Sequence, residues 1–183
     1  MQTSIVDIWE TDEMKISNSH IIHTDRLCLH SITENDKDDM IELLTNAEIS
    51  KTFMIPEFKS HEEEVQMFEA LKTMSVSEEH FVYGIYLNDK MIGFINDVDI
   101  GGKEIELGYV IHPSQKNKGY ATEVLQKALE MILKSGYTSV KAGAFEENRA
   151  SMRVMEKCGM KRATQEDTIE YRGRKHRCIY YIF

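Results

Sequence analysis

The chain has 183 residues, 42% of them hydrophobic and only two of them proline, which fits one globular domain with a core of its own. A formal charge of −9 argues against nucleic acid or an anionic membrane surface as the main partner, and tolerates a polyanionic ligand only where basic groups gather locally. Three widely spaced cysteines, Cys28, Cys158 and Cys178, signal neither a disulfide framework nor a zinc site, and Cys158 reads as a small buried hydrophobe.

Residues 1–19 are polar and acidic apart from Ile5, Val6, Ile8 and Trp9, and read as an N-terminal arm that either packs by Trp9 or remains a tail. No signal-peptide core is present there and no run of about 18 apolar residues follows, so a cytoplasmic protein without membrane contact is expected. His20 to Ile32 reads as the first strand, Leu27, Leu29 and Ser31 alternating with Arg26, Cys28 and His30. His20, His23 and His30 share no ligand-like spacing with a carboxylate pair, and no metal is expected.

Thr33-Glu34-Asn35-Asp36 is a helix-start signature, with Met40, Leu43, Leu44 and Ala47 as the apolar stripe behind it. Ser60-His61-Glu62-Glu63 opens a second helix packed by Val65, Met67, Phe68, Leu71 and Met74. The connection from Lys51 to Lys59 carries Phe53, Met54, Ile55, Pro56 and Phe58, enough apolar surface for a core lid or for one wall of an acceptor pocket. Two strands, Phe81 to Leu87 and Met91 to Val98, flank an Asn88-Asp89 turn. Gly101-Gly102 then leads into Ile105 to Ile111, a strand with Glu106, Gly108 and Val110 on one face and Pro113 as its stop.

Lys116-Asn117-Lys118-Gly119-Tyr120-Ala121-Thr122 joins that strand to a helix marked by Ala121, Val124, Leu125, Ala128 and Ile132 and ended by Gly136. A strand, a Gly-containing turn and a helix start together aim unpaired backbone N–H groups and a positive dipole end at one spot, which suits a phosphate. Tyr137 to Phe145 is a further strand. Asn148 caps a helix packed by Met152, Val154, Met155 and Cys158, and Gly159 ends it. Asp167 to Tyr171 and His176 to Phe183 form a closing hairpin whose last strand is apolar on both faces, hence central or covered. His112, beside Pro113, reads as a loop-surface residue.

Taken together, Thr24-Asp25-Arg26-Leu27, Glu106-Leu107-Gly108-Tyr109, Lys118-Gly119-Tyr120-Ala121-Thr122-Glu123 and Glu147-Asn148-Arg149-Ala150-Ser151 with Glu156-Lys157-Cys158-Gly159-Met160 resemble the GNAT superfamily of acetyl-CoA-dependent N-acetyltransferases. Within it they are similar to the RimJ/RimL-like ribosomal-protein acetyltransferase branch, from about Thr24 to Phe183. The resemblance implies a single acetyltransferase domain over 1–183, a mixed α/β (α+β) fold with a mostly antiparallel twisted sheet, a splayed strand pair and flanking helices. It also implies acetyl-CoA as co-substrate and an amine acceptor as partner, either a protein N-terminus or a small molecule; a homodimer stays open.

The residue roles come from the same resemblance. Lys116, Asn117, Lys118, Gly119, Tyr120, Ala121 and Thr122 would hold the pyrophosphate, with Lys116 where Gln or Arg is usual and Asn117 where an optional Gly stands. Asn tolerates a left-handed backbone better than most residues. Backbone groups of Tyr109, Val110 and Ile111 would take the pantetheine arm. Glu106 would act as general base, best matched to an α-amino group, whose pKa lies near 7.7–8.0. Asn148 would cap its helix and bind the pantetheine or a water, and Ser151, one turn on, would hold that water or relay a proton. Met155 stands where many superfamily members place a Tyr as general acid, and a thioether has no proton to give. A non-catalytic acyl-CoA-binding or sensing module of the same fold is the alternative.

Overall fold

The computed structural model describes residues 21–183. The N-terminal arm of 1–19, with Trp9, lies outside the described residues. In chain order the strands are β1 (Ile22–His23), β2 (Cys28–His30), β3 (Val82–Leu87), β4 (Lys90–Gly101), β5 (Glu104–Ile111), β6 (Ser139–Phe145), β7 (Lys161–Tyr171) and β8 (Arg174–Ile182). The helices are α1 (Lys37–Thr45), α2 (His61–Met74), α3 (Tyr120–Lys134) and α4 (Arg149–Lys157). One eight-stranded sheet runs β1-β2-β3-β4-β5-β6-β8-β7, and among the described residues only the β5–β6 pair is parallel.

Two apolar layers cover the sheet. Val124, Leu125, Ala128 and Ile132 of α3 and Met152 and Met155 of α4 pack on one core, which takes Ile105 and Leu107 from β5. Met40, Leu43 and Leu44 of α1 and Phe68 and Leu71 of α2 build the other, which takes Val110. Opposite faces of β5 thus feed opposite layers, as the two-residue strand period requires.

The local signals act as expected at several junctions. Ser60 Oγ accepts from the Glu63 backbone N–H and caps α2. Asn88 and Asp89 both take positive φ, 50° and 62°, which suits the twist of a two-residue hairpin. The last strand, β8, lies between β6 and β7, so both its edges are paired and it is a central strand.

Two expectations need correction. His20 to Ile32 is not one strand within the described residues, because the chain doubles back between β1 and β2, where Thr24 Oγ1 accepts from the Leu27 N–H at 3.0 Å. The hairpin's first strand also begins at Lys161, well before Asp167. As the free edge of the sheet it is exposed along most of its length, so no apolar alternation marks it.

Candidate active site

The site begins where β5 and β6 part. Their register runs from Glu104↔Ser139 to Leu107↔Ala142 and stops. Beyond it, Gly108 to Ile111 stay with β4, while Gly143 to Phe145 stay with β8. β4 adds a bulge at Val98, between the Asp97↔Leu107 and Asp99↔Glu106 pairs. A wedge opens between two strands of one sheet, with unshared backbone groups on its sides.

Two cavities meet at this wedge. The larger, about 620 Å³, is lined by Tyr109, Val110 and Ile111 of β5, by the loop before α3 and by the first turns of α4. The smaller, about 320 Å³, is lined by Asn96, Glu106, Cys178 and Tyr180 among others. Thr52, Phe53 and Gly143 line both. In the connection from Lys51 to Lys59, Ile55 is buried in the second core, while Thr52 and Phe53 line both cavities and Met54 the smaller. Tyr171 holds that connection in place, since its hydroxyl accepts from the Ile55 N–H at 3.3 Å and lies 3.1 Å from the Ile55 carbonyl.

In the loop before α3, Asn117 and Gly119 have φ of 63° and 83°, two left-handed residues that turn the backbone into the helix. Lys116, Asn117, Gly119, Tyr120, Ala121 and Thr122 line the larger cavity. Lys118 is not among the lining residues; its Nζ donates to Gln115 Oε1 at 2.7 Å. Besides Lys116, positive charge comes from Arg149, Arg153 and Lys157, which line the cavity from α4. Sequence reasoning gave none of these three a ligand-binding role, although their spacing of four residues places them on one helical face.

Asn148 Oδ1 accepts from the Ser151 N–H at 3.2 Å and caps α4, while its Nδ2 donates to the Thr52 carbonyl at 3.5 Å. Ser151 lines the larger cavity, with its Oγ 2.8 Å from the Tyr109 hydroxyl. Burial pushes the Tyr109 phenol well above its ordinary range and outweighs the hydrogen bond with Ser151, so the group keeps its proton at neutral pH. Met155 is fully buried in the core. Cys158 is buried as expected, its thiol pushed up to about 11 by burial.

Glu106 is not a solitary carboxylate. Its Oε2 lies 2.6 Å from Lys141 Nζ, its directly paired neighbour on β6, and its side chain is only 16% exposed. The hydrogen bond with Glu106 holds the Lys141 ammonium above the ordinary lysine range. Asn96, on the same face of the sheet through its Asn96↔Gly108 pairing, donates Nδ2 to the Asp97 carbonyl at 2.7 Å. Its buried Oδ1 finds no hydrogen-bond partner among the described residues. His112 lies outside both linings, with Nε2 2.9 Å from Glu42 Oε2 and Nδ1 2.7 Å from Ser114 Oγ.

The acetyltransferase (GNAT) domain family matches residues 26–161. The chain is 32% identical over 143 residues to the uncharacterized N-acetyltransferase YnaD of Bacillus subtilis strain 168, covering 77% of this chain and 82% of the relative. It is 27% identical over 147 residues to YoaA of the same organism, covering 78% and 83%. Among solved structures it superposes on RimL, a ribosomal L7/L12 alpha-N-protein acetyltransferase held in complex with coenzyme A. The TM-score is 0.80 over 90% of this chain and 97% of that one, at 19% identity, a likeness of fold.

Proposed function

The chain belongs to the GNAT acetyltransferase family, and from that premise we propose that it moves the acetyl group of acetyl-CoA to a primary amine. The observation that carries this reading is the larger cavity. A chain of net charge −9 gathers Lys116, Arg149, Arg153 and Lys157 around a helix start and an open strand wedge. Such a cavity fits a polyanion with a long, backbone-binding arm.

In this reading Lys116, Asn117 and Gly119 to Thr122 cradle the pyrophosphate, with Lys118 supporting the loop from outside. Tyr109, Val110 and Ile111 offer backbone groups to the pantetheine arm. The thioester supplies an activated acetyl group; the chain's own residues position the amine and manage the protons. Glu106, in the wall of the smaller cavity, receives the amine proton directly or through water, with Lys141 fixing its carboxylate. Asn148 aligns the first turn of α4, and Ser151, steadied by Tyr109, would hold the water that gives the departing thiolate its proton, matching the one Glu106 takes from the amine.

We place the amine in the smaller cavity, with its N–H groups toward Glu106 and the unsatisfied Asn96 Oδ1. A protein or peptide N-terminus is the favoured acceptor, in the manner of the RimJ/RimL-like branch. An α-amino group, with a pKa near 7.7–8.0, loses its proton to a carboxylate far more readily than a lysine-type amine near 10.4.

Calorimetry with acetyl-CoA, followed by a turnover screen over peptide N-termini, polyamines and amine-bearing antibiotics, tests the proposal. Acetyl-CoA binding with transfer to at least one amine is the expected result. No binding overturns the reading. Tight binding without turnover on any amine supports the sensing-module alternative instead.

A further inference from the structure

We propose that Arg26, on the turn between β1 and β2, is a positioning residue for CoA binding, its guanidinium setting the peptide plane between Lys118 and Gly119 so that the Gly119 N–H faces the larger cavity. The proposal rests on the acetyl-CoA reading of that cavity and adds a residue from the far end of the chain.

The geometry is a three-point grip. Arg26 Nη1 donates to the Lys118 carbonyl at 2.8 Å. The peptide unit is planar and trans, so its carbonyl and the following N–H point in opposite directions. With the carbonyl turned onto Arg26, the Gly119 N–H projects the other way, and Gly119 lines the cavity whereas Lys118 does not. The guanidinium carbon also stands 4.6 Å from the centre of the Tyr120 ring. Its other two nitrogens reach Glu123 in the first turn of α3: Nε to Oε2 at 2.8 Å and Nη2 to Oε2 at 2.7 Å.

The anchor is itself anchored. Glu123 Oε1 accepts from the Arg26 backbone N–H at 2.8 Å and from Thr24 Oγ1 at 2.5 Å, so the turn holds the carboxylate and the carboxylate holds the fork. Gly119 has the left-handed φ of 83°, and Arg26 Nη2 lies 3.3 Å from where a Cβ would stand. Gly is the residue with the most backbone freedom to lose on ordering. A turn fixed before the ligand arrives spares that loss at binding.

Because Glu123 neutralises Arg26, the pair offers shape rather than net charge. A lysine would keep the charge and lose the fork, since one ammonium lacks the planar set of donors that reaches both Lys118 and Glu123.

Calorimetry of the full chain with CoA and with 3′-dephospho-CoA, beside a thermal melt, decides the matter. Arg26→Ala is expected to raise the Kd by roughly tenfold, with the same factor for both ligands and Arg26→Lys close to the Ala variant. Should Arg26→Ala not fold, Arg26→Lys carries the same comparison. Wild-type affinity in either folded variant overturns the proposal, since a purely structural arginine would lower the melting temperature alone. Loss confined to CoA also overturns it, by placing Arg26 on the 3′-phosphate. Failure of the wild-type chain to bind CoA would overturn the acetyl-CoA reading instead.

Discussion

The hydroxyl of Tyr109, carried on strand β5, lies 2.8 Å from the Oγ of Ser151 in the first turn of α4. One turn further on, Met155 is sealed in the core, so the phenol comes to this helix from the sheet rather than from the helix itself. Tyr109 also lies 3.3 Å from the Ser151 carbonyl, a second acceptor that fixes where the serine hydroxyl stands. Tyr109→Phe and Ser151→Ala are each expected to lower kcat by about 10²-fold while acetyl-CoA affinity stays nearly constant. The double variant should be no slower than Ser151→Ala, because both act through one hydroxyl. Additive losses in that cycle would separate the two residues.

Glu106→Gln keeps the size of the side chain and removes its capacity as a base. The expected outcome is a fall in kcat of about 10²–10⁴-fold with acetyl-CoA binding intact, measured by steady-state kinetics and calorimetry. A fall in melting temperature with unchanged kcat would assign Glu106 to its Lys141 ion pair alone.

Arg153 extends the cation stripe of α4 into the larger cavity. Arg153→Gln is expected to weaken CoA binding several-fold and to make the remaining affinity less sensitive to added salt, since fewer charges are then screened. Calorimetry at two ionic strengths reads both effects.

Gly119→Ala puts a Cβ on a left-handed residue, at a cost of about 1 kcal/mol in backbone strain. The new methyl group would also stand 3.3 Å from Arg26 Nη2. A lower melting temperature and a weaker CoA complex are expected together; an unchanged complex would show that the turn re-forms without its glycine.

Glu123 gives the pH dependence a sign. Burial alone would raise its carboxyl, but the hydrogen bonds from Thr24 and from the Arg26 backbone and guanidinium outweigh it and hold it below the usual carboxylate range. A depressed carboxyl contributes stability that is present above the unfolded value and is lost as pH falls through the folded one. Glu123→Gln should therefore melt lower than the wild type at neutral pH, and the gap should close below about pH 4.3. A gap that stays constant through this range would mean that the carboxylate charge contributes nothing.

What the sequence made legible was whatever is written locally. Ser60 with Glu63, Asn88-Asp89, the alternation around Glu106 and the stripe of α3 each carry their instruction within a few residues. The parts that escaped it depend on distant partners. The turn at Thr24 is held by Glu123 and the Glu106 carboxylate by Lys141 across a strand pair, and neither link leaves a trace in the local pattern. The edge strand β7 escaped for the opposite reason: with little apolar surface to bury, it has no period to read. Arg149, Arg153 and Lys157 were readable, but a cationic helical face ordinarily means solvent, and only the fold puts these three on the wall of a cavity.

Thr52, Phe53 and Gly143 are common to both cavities, while the remaining walls differ. If each cavity takes one of the two reactants of the proposed transfer, neither has to leave before the other enters. The rate law should carry this imprint: double-reciprocal plots at several fixed amine concentrations should intersect rather than run parallel. CoA, as product, should compete with acetyl-CoA and not with the amine.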